Sequence, residues 1–100
     1  MAKIQNEYSA TSRELSVDTH GLNFLCIVGR HINGAYIAIL NFGISAEQST
    51  LNDISYNANR IYKAFESVND SWLPKSQDAR FEIAEEIAQA INPYITKQGG

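Results

Sequence analysis

Two β-branched, aromatic-rich runs, residues 22–32 and 35–42, flank the dipeptide Asn33-Gly34. Asn-Gly accepts the positive φ angles that both central positions of a type I′ turn demand, so the stretch predicts a two-residue β-hairpin. A turn of known length also sets register, and register decides which side chains share a face. With Asn33-Gly34 at the tip, Ile32 faces Ala35 and His31 faces Tyr36. One face then carries Phe24, Cys26, Val28, Arg30, Ile32, Ala35, Ile37, Ile39 and Asn41. The other carries Leu25, Ile27, Gly29, His31, Tyr36, Ala38, Leu40 and Phe42. Both faces are largely apolar, whereas an antiparallel sheet with one wet face alternates more cleanly.

Upstream, Arg13-Glu14-Leu15-Ser16-Val17-Asp18 alternates polar with apolar, and Asp18-Thr19-His20-Gly21 reads as the turn that follows it. The expectation is a three-stranded antiparallel meander with this strand at an edge. The first ten residues either extend that strand or fray. From Leu51 the period becomes helical: Leu51, Ile54, Ala58, Ile61, Tyr62 and Phe65 share one face. Thr50 and Asp53 resemble a capping box at its start. Asn69-Asp70-Ser71 ends this helix, and Trp72-Leu73-Pro74 forms a connector. Ser76 caps a second helix over residues 77–91, whose stripe is Ala79, Ile83, Ala84, Ile87, Ala88 and Ile91. Asn92-Pro93 is expected to stop it, leaving residues 96–100 as a frayed tail. The fold class is α+β in the order β-β-β-α-α, one domain over residues 1–100.

If both helices share one sheet face, the other needs a cover. The N-terminal segment is one such cover; a homodimer contact or a partner protein is the other. Gly29 opposite Ala38 leaves a shallow gap beside His31, Tyr36 and Phe42, wide enough for a small ligand, although such a glycine more often marks a bulge or a close backbone approach.

Charge separates the two halves. The chain has eight basic and eleven acidic side chains, a net charge of -3. Lys3, Arg13 and Arg30 balance Glu7, Glu14 and Asp18, so the whole excess lies beyond residue 43. A duplex-DNA binder shows the reverse, a basic stripe that neutralises phosphates. On the first helix Asn52, Tyr56, Asn59, Arg60 and Lys63 project away from the apolar stripe. Tyrosine beside two cations is a composition that protein interfaces favour, and it also suits stacking a base and holding a phosphate. On the second helix Asp78, Glu82, Glu85, Glu86 and Gln89 fall in one acidic arc, suited to a basic partner. Solvation is the default for both faces. The candidate partner-binding residues are therefore Tyr56, Arg60, Lys63, Asp78, Glu82, Glu85 and Glu86.

Catalytic and cofactor motifs are missing. The two histidines lack metal-ligand spacing, and carboxylates along one straight helix do not converge on a metal without help from elsewhere. Cys26 lies in an apolar strand with nothing to lower its pKa. There is no GxSxG, GxxxxGK[ST] or GxGxxG. No catalytic, metal or cofactor-binding residue is assigned, and the expectation is no enzyme and no cofactor. No run of about 18 apolar residues is present, and the N-terminus has no apolar signal core, which predicts a cytoplasmic protein off the membrane.

Residues 37–47, with Asn41, Gly43, Ile44, Ser45 and Glu47, precede Asp53, Tyr56 and Asn57, and then Asp78-Ala79. Over residues 22–91 this pattern resembles a group of small proteins of unknown function from phages and mobile elements of Gram-positive bacteria. The resemblance implies an accessory protein acting in the bacterial cell and implies no activity. By analogy with other small acidic proteins of such elements, the expectation is a non-catalytic protein-binding module, in one version an anti-CRISPR-like inhibitor of host defence. The alternative is a small nucleic-acid-binding regulator using Tyr56, Arg60 and Lys63.

Overall fold

The computed structural model describes residues 13–31, 34–49, 53–68 and 72–97. Four strands form one antiparallel sheet in the order β1 (Arg13–Thr19), β2 (Leu22–His31), β3 (Gly34–Ile39) and β4 (Ile44–Ser49). Two helices follow, α1 (Ile54–Glu66) and α2 (Gln77–Lys97). The fold is thus the expected α+β meander and helix pair, corrected by a fourth strand. Sequence pattern missed β4 because Ile44-Ser45-Ala46-Glu47-Gln48-Ser49 contains one strongly strand-forming residue. Pairing with β3 imposes the conformation, across a register irregularity between Ala35 and Ile37.

The β1–β2 turn is His20-Gly21, with Thr19 paired to Leu22 and φ angles of 55° and 75°. Positive φ at both central positions is the type I′ signature. The tip expected at Asn33-Gly34 is displaced: His31 pairs with Gly34 and Gly29 with Tyr36, while Ile32 and Asn33 lie outside the described residues. The displacement is an even number of residues, so facing is preserved. Phe24, Cys26, Val28, Ile37 and Ile39 share a buried face as expected. Two residues near the strand end change sides. A short 3-10 turn at Leu40–Phe42 rotates the chain and stacks Phe42 on Phe24, ring centroids 4.9 Å apart. It also turns Asn41 outward, where the side-chain amide extends the β2 ladder. Asn41 Oδ1 accepts from the Leu25 N–H at 3.1 Å, and Nδ2 donates to the Asn23 carbonyl at 2.8 Å.

Both helices lie on the buried sheet face, α1 over β4 and α2 over β1 and β2, and they pack against each other. Ala58, Ile61 and Phe65 supply the α1 stripe, with Ile54 and Tyr62 at its margin. Leu51 and Thr50 lie outside the described residues. The N-cap is Asp53, whose carboxylate accepts from the Tyr56 N–H at 2.9 Å, so the helix begins later than expected. Ser76 caps α2 as anticipated, its Oγ accepting from the Ala79 N–H at 3.3 Å.

Helix α2 does not stop at Asn92-Pro93; it runs through Pro93 to Lys97. An interior proline removes one helical hydrogen bond and crowds the preceding turn, at a cost of about 3 kcal/mol. Two features offset this. Ile95 continues the four-residue row Ile83, Ile87, Ile91, all fully buried, and burial of one such side chain returns about 1.5–3 kcal/mol. Pro93 and Gln89 also lie on the exposed side of the helix, away from the packed row.

Candidate functional site

The Asp53 cap fixes where α1 begins and hence which side chains leave its outer face. Tyr56 and Lys63 are exposed there, with Asn59 between them. Asn52 lies outside the described residues. Arg60 is half-buried, and its Nε is shut off from solvent without a hydrogen-bond partner among the described residues. The guanidinium stem therefore lies along the protein and does not project with Tyr56 and Lys63.

The acidic arc on α2 is exposed as expected, but the fold engages two of its members. Glu86 Oε1 accepts the hydroxyl hydrogen of Thr19, and Glu82 Oε1 lies 3.0 Å from His20 Nε2. Thr19 Oγ1 is also 3.0 Å from His20 Nδ1. A hydroxyl has one hydrogen, so with Glu86 taking it Thr19 accepts from Nδ1–H. Glu82 forms an ion pair with the ring when it is protonated. This chain of contacts fastens the β1–β2 turn to α2. Hydroxyl, imidazole and carboxylate stand in the order a nucleophilic site uses. Here the hydroxyl hydrogen is committed to a second carboxylate, Thr19 is only 7% exposed, and neither cleft described below is lined by Thr19 or His20. Asp78 and Glu85 remain on the exposed surface.

A groove not anticipated from sequence runs between α1 and the first turns of α2. Tyr62 and Phe81 meet edge to face, centroids 5.6 Å apart at 77°. On one side of Tyr62 a cleft of about 470 Å³ is lined by Gln77, Asp78, Phe81 and Glu82. On the other a cleft of about 330 Å³ is lined by Glu66, Lys75, Gln77 and Arg80. Tyr62 and Gln77 belong to both. A hydrogen bond to the Glu66 carboxylate pushes the Tyr62 hydroxyl pKa upward. Arg80 Nε donates to the Pro74 carbonyl at 2.6 Å, which pins the connector against α2. The residues Trp72-Leu73-Pro74 read as a bare connector because no periodicity marks them; the one available signal was a lone tryptophan two residues before a proline.

The remaining candidates resolve simply. Cys26 is fully buried, and desolvation pushes its thiol from near 9 up to about 11. Gly29 stands opposite Tyr36 and not Ala38, so the expected gap faces an aromatic cross-strand partner, a pairing known to shield strand glycines. His31 pairs with Gly34 and not with Tyr36. The outer sheet face shows Leu25 at 43% and Leu40 at 51% exposure. Among the described residues no group of three or more histidine, cysteine or acidic side chains is placed to hold a metal. No helix among them is long and apolar enough to cross a membrane.

Residues 2–72 match a family of unknown function, DUF6618, and the chain belongs to that family. The matched span includes the sheet, α1 and Trp72, and ends before α2. No curated protein and no solved structure matches the chain.

Proposed function

We propose that this member of the DUF6618 family is a non-catalytic protein-binding module. The observation that supports it is the distribution of exposed aromatic side chains. Tyr56, Trp72, Phe81 and Tyr94 all stand on the helical layer or its connector. Large aromatics in water are disfavoured, and they are the residue types on which interfaces concentrate binding energy. The candidate surface is Tyr56 with Lys63 and the stem of Arg60, which lie within the family match, and the exposed Asp78 and Glu85 of α2 are the candidate acidic residues. Buried Cys26 and the committed Thr19 hydroxyl favour binding over catalysis.

The finer proposal, carried by the sequence resemblance, is a cytoplasmic accessory protein of a phage or mobile element that inhibits a host defence factor. Gene neighbourhoods of family members test that origin. A second copy docked on Leu25 and Leu40 is the homodimeric version, and light scattering tests it: a mass of one 11.1 kDa chain removes it.

The principal experiment compares the chain with its Tyr56→Ala/Lys63→Ala variant as baits in bacterial lysate, followed by direct titration with the purified captured protein. A partner bound by the parent and weakened about tenfold in the variant supports the reading. A parent that captures no protein but shifts DNA or RNA at low salt overturns it in favour of the nucleic-acid regulator.

A further inference from the structure

We propose that the smaller cleft, between the last turns of α1 and the start of α2, binds a carboxylate carried on a small aromatic or apolar molecule. Its lining residues are Tyr62, Glu66, Lys75, Gln77 and Arg80. Neither Tyr56 nor Lys63 lines it, so the proposal goes beyond the protein-binding reading and does not rest on it.

Three observations carry it. The first is a cation held in place. Arg80 Nε donates to the Pro74 carbonyl at 2.6 Å, which restrains the guanidinium and leaves both terminal nitrogens without a hydrogen-bond partner among the described residues. Those two nitrogens form the fork that matches the two oxygens of a carboxylate, and a fork already oriented loses little freedom on binding. The second is positive charge that no ion pair consumes. Lys75 lines the same cleft, and among the described residues neither Lys75 nor Arg80 lies within ion-pair distance of a carboxylate. Glu66, the one carboxylate in the lining, accepts the Tyr62 hydroxyl hydrogen. The third is what surrounds the charges. The Tyr62 ring, edge to face with Phe81, offers an apolar surface, and Gln77 supplies an amide donor. A volume of about 330 Å³ holds one small molecule.

Charge balance selects among anions. The Tyr62 hydroxyl pKa is raised first by its hydrogen bond to Glu66 and then by burial; the charges of Glu66 and Asp78 add to this, and Arg80 opposes it. Both acids and Arg80 therefore act on the same space, and with Lys75 the balance is two cations against two carboxylates. A second negative charge on the ligand gains no net long-range attraction and gives up more hydration, which favours a single carboxylate over a phosphate dianion.

The test is proton–nitrogen correlation NMR of the full chain at low salt, titrated with sodium benzoate and, in parallel, with benzamide and inorganic phosphate. The expected result is saturable shifts of the Arg80 Nε–H and the Gln77 side-chain amide with benzoate, and binding about tenfold weaker for the other two probes. Arg80→Lys keeps the charge but loses the fork, so benzoate should bind it about tenfold more weakly. Lys75→Gln, at an exposed position, should weaken benzoate about threefold. Glu66→Gln removes the competing carboxylate and should tighten benzoate about threefold, a gain that loss of structure does not produce. Thermal melts verify folding, and if Arg80→Lys loosens the connector, the Lys75 and Glu66 variants decide. The proposal is overturned by the absence of saturable shifts with benzoate, or by benzamide or phosphate binding as tightly as benzoate. Unchanged benzoate affinity in Lys75→Gln or in Glu66→Gln overturns it equally.

Discussion

Continuation of α2 beyond Pro93 is the least expected feature of the fold, and Ile95→Ala probes it directly. Ile95 is fully buried on the row formed by Ile83, Ile87 and Ile91. The substitution removes three carbons, and at about 0.8 kcal/mol each the transfer loss is about 2.4 kcal/mol. A residual cavity adds to this, although the last turn can partly collapse, so the expected loss is about 2–4 kcal/mol. For a domain of this size that is a large part of a total near 5–15 kcal/mol. The assay is urea unfolding followed by far-ultraviolet circular dichroism, and with a slope of about 1–2 kcal/mol/M the midpoint should fall by roughly 1–4 M. Tyr94→Ala is the internal control, because Tyr94 is 39% exposed one position earlier and should lose under about 1 kcal/mol. Were the helix to end at Asn92, residues 94 and 95 would both lie in a frayed tail. Equal, small effects for the two substitutions would refute the packing described for this turn.

Asp53→Ala should destabilise the chain by about 1 kcal/mol through loss of the α1 cap, with Asp53→Ser recovering most of it; thermal melts measure both. Thr19→Val should lower stability by about 1 kcal/mol and leave Glu86 in water; faster amide exchange confined to the β1–β2 turn and the facing turns of α2 would locate the loss. For Cys26 the folded pKa is raised, so its contribution to stability is complete below about pH 9 and is lost as pH climbs toward about 11. A thiol reagent at neutral pH should therefore react only as fast as the chain opens, and immediate labelling would contradict the burial. The Tyr62 hydroxyl pKa is also raised, chiefly by its bond to Glu66, so Glu66→Gln should move its phenolate titration downward toward the ordinary tyrosine range.

Local pattern made the central hairpin, the β1 edge and both helix faces legible, because each buries one side and repeats with its own period. The hairpin shows how far this reaches. The register is displaced, yet Phe24, Cys26 and Val28 still meet Ile37 and Ile39 on the core face. A displacement by an even number of residues conserves the alternation that hydrophobic burial selects. The α1 surface was likewise visible from spacing alone. The α2 surface was visible only as four carboxylates on one arc.

What lay outside reach depends on contacts between residues distant in the chain. Glu82 and Glu86 engage His20 and Thr19 across separations of 62 and 67 residues, a pairing no helical wheel can contain. The groove at Tyr62 and Phe81 exists only because α1 and α2 pack side by side on one sheet face. Strand β4 and the passage through Pro93 have the same origin: β-sheet pairing and core burial outweigh weak local preference. The amino-acid sequence by itself determined which faces are apolar and that the chain is an α+β domain. The tertiary structure decided which polar side chains remain on the surface for a partner, since that depends on where the helices dock.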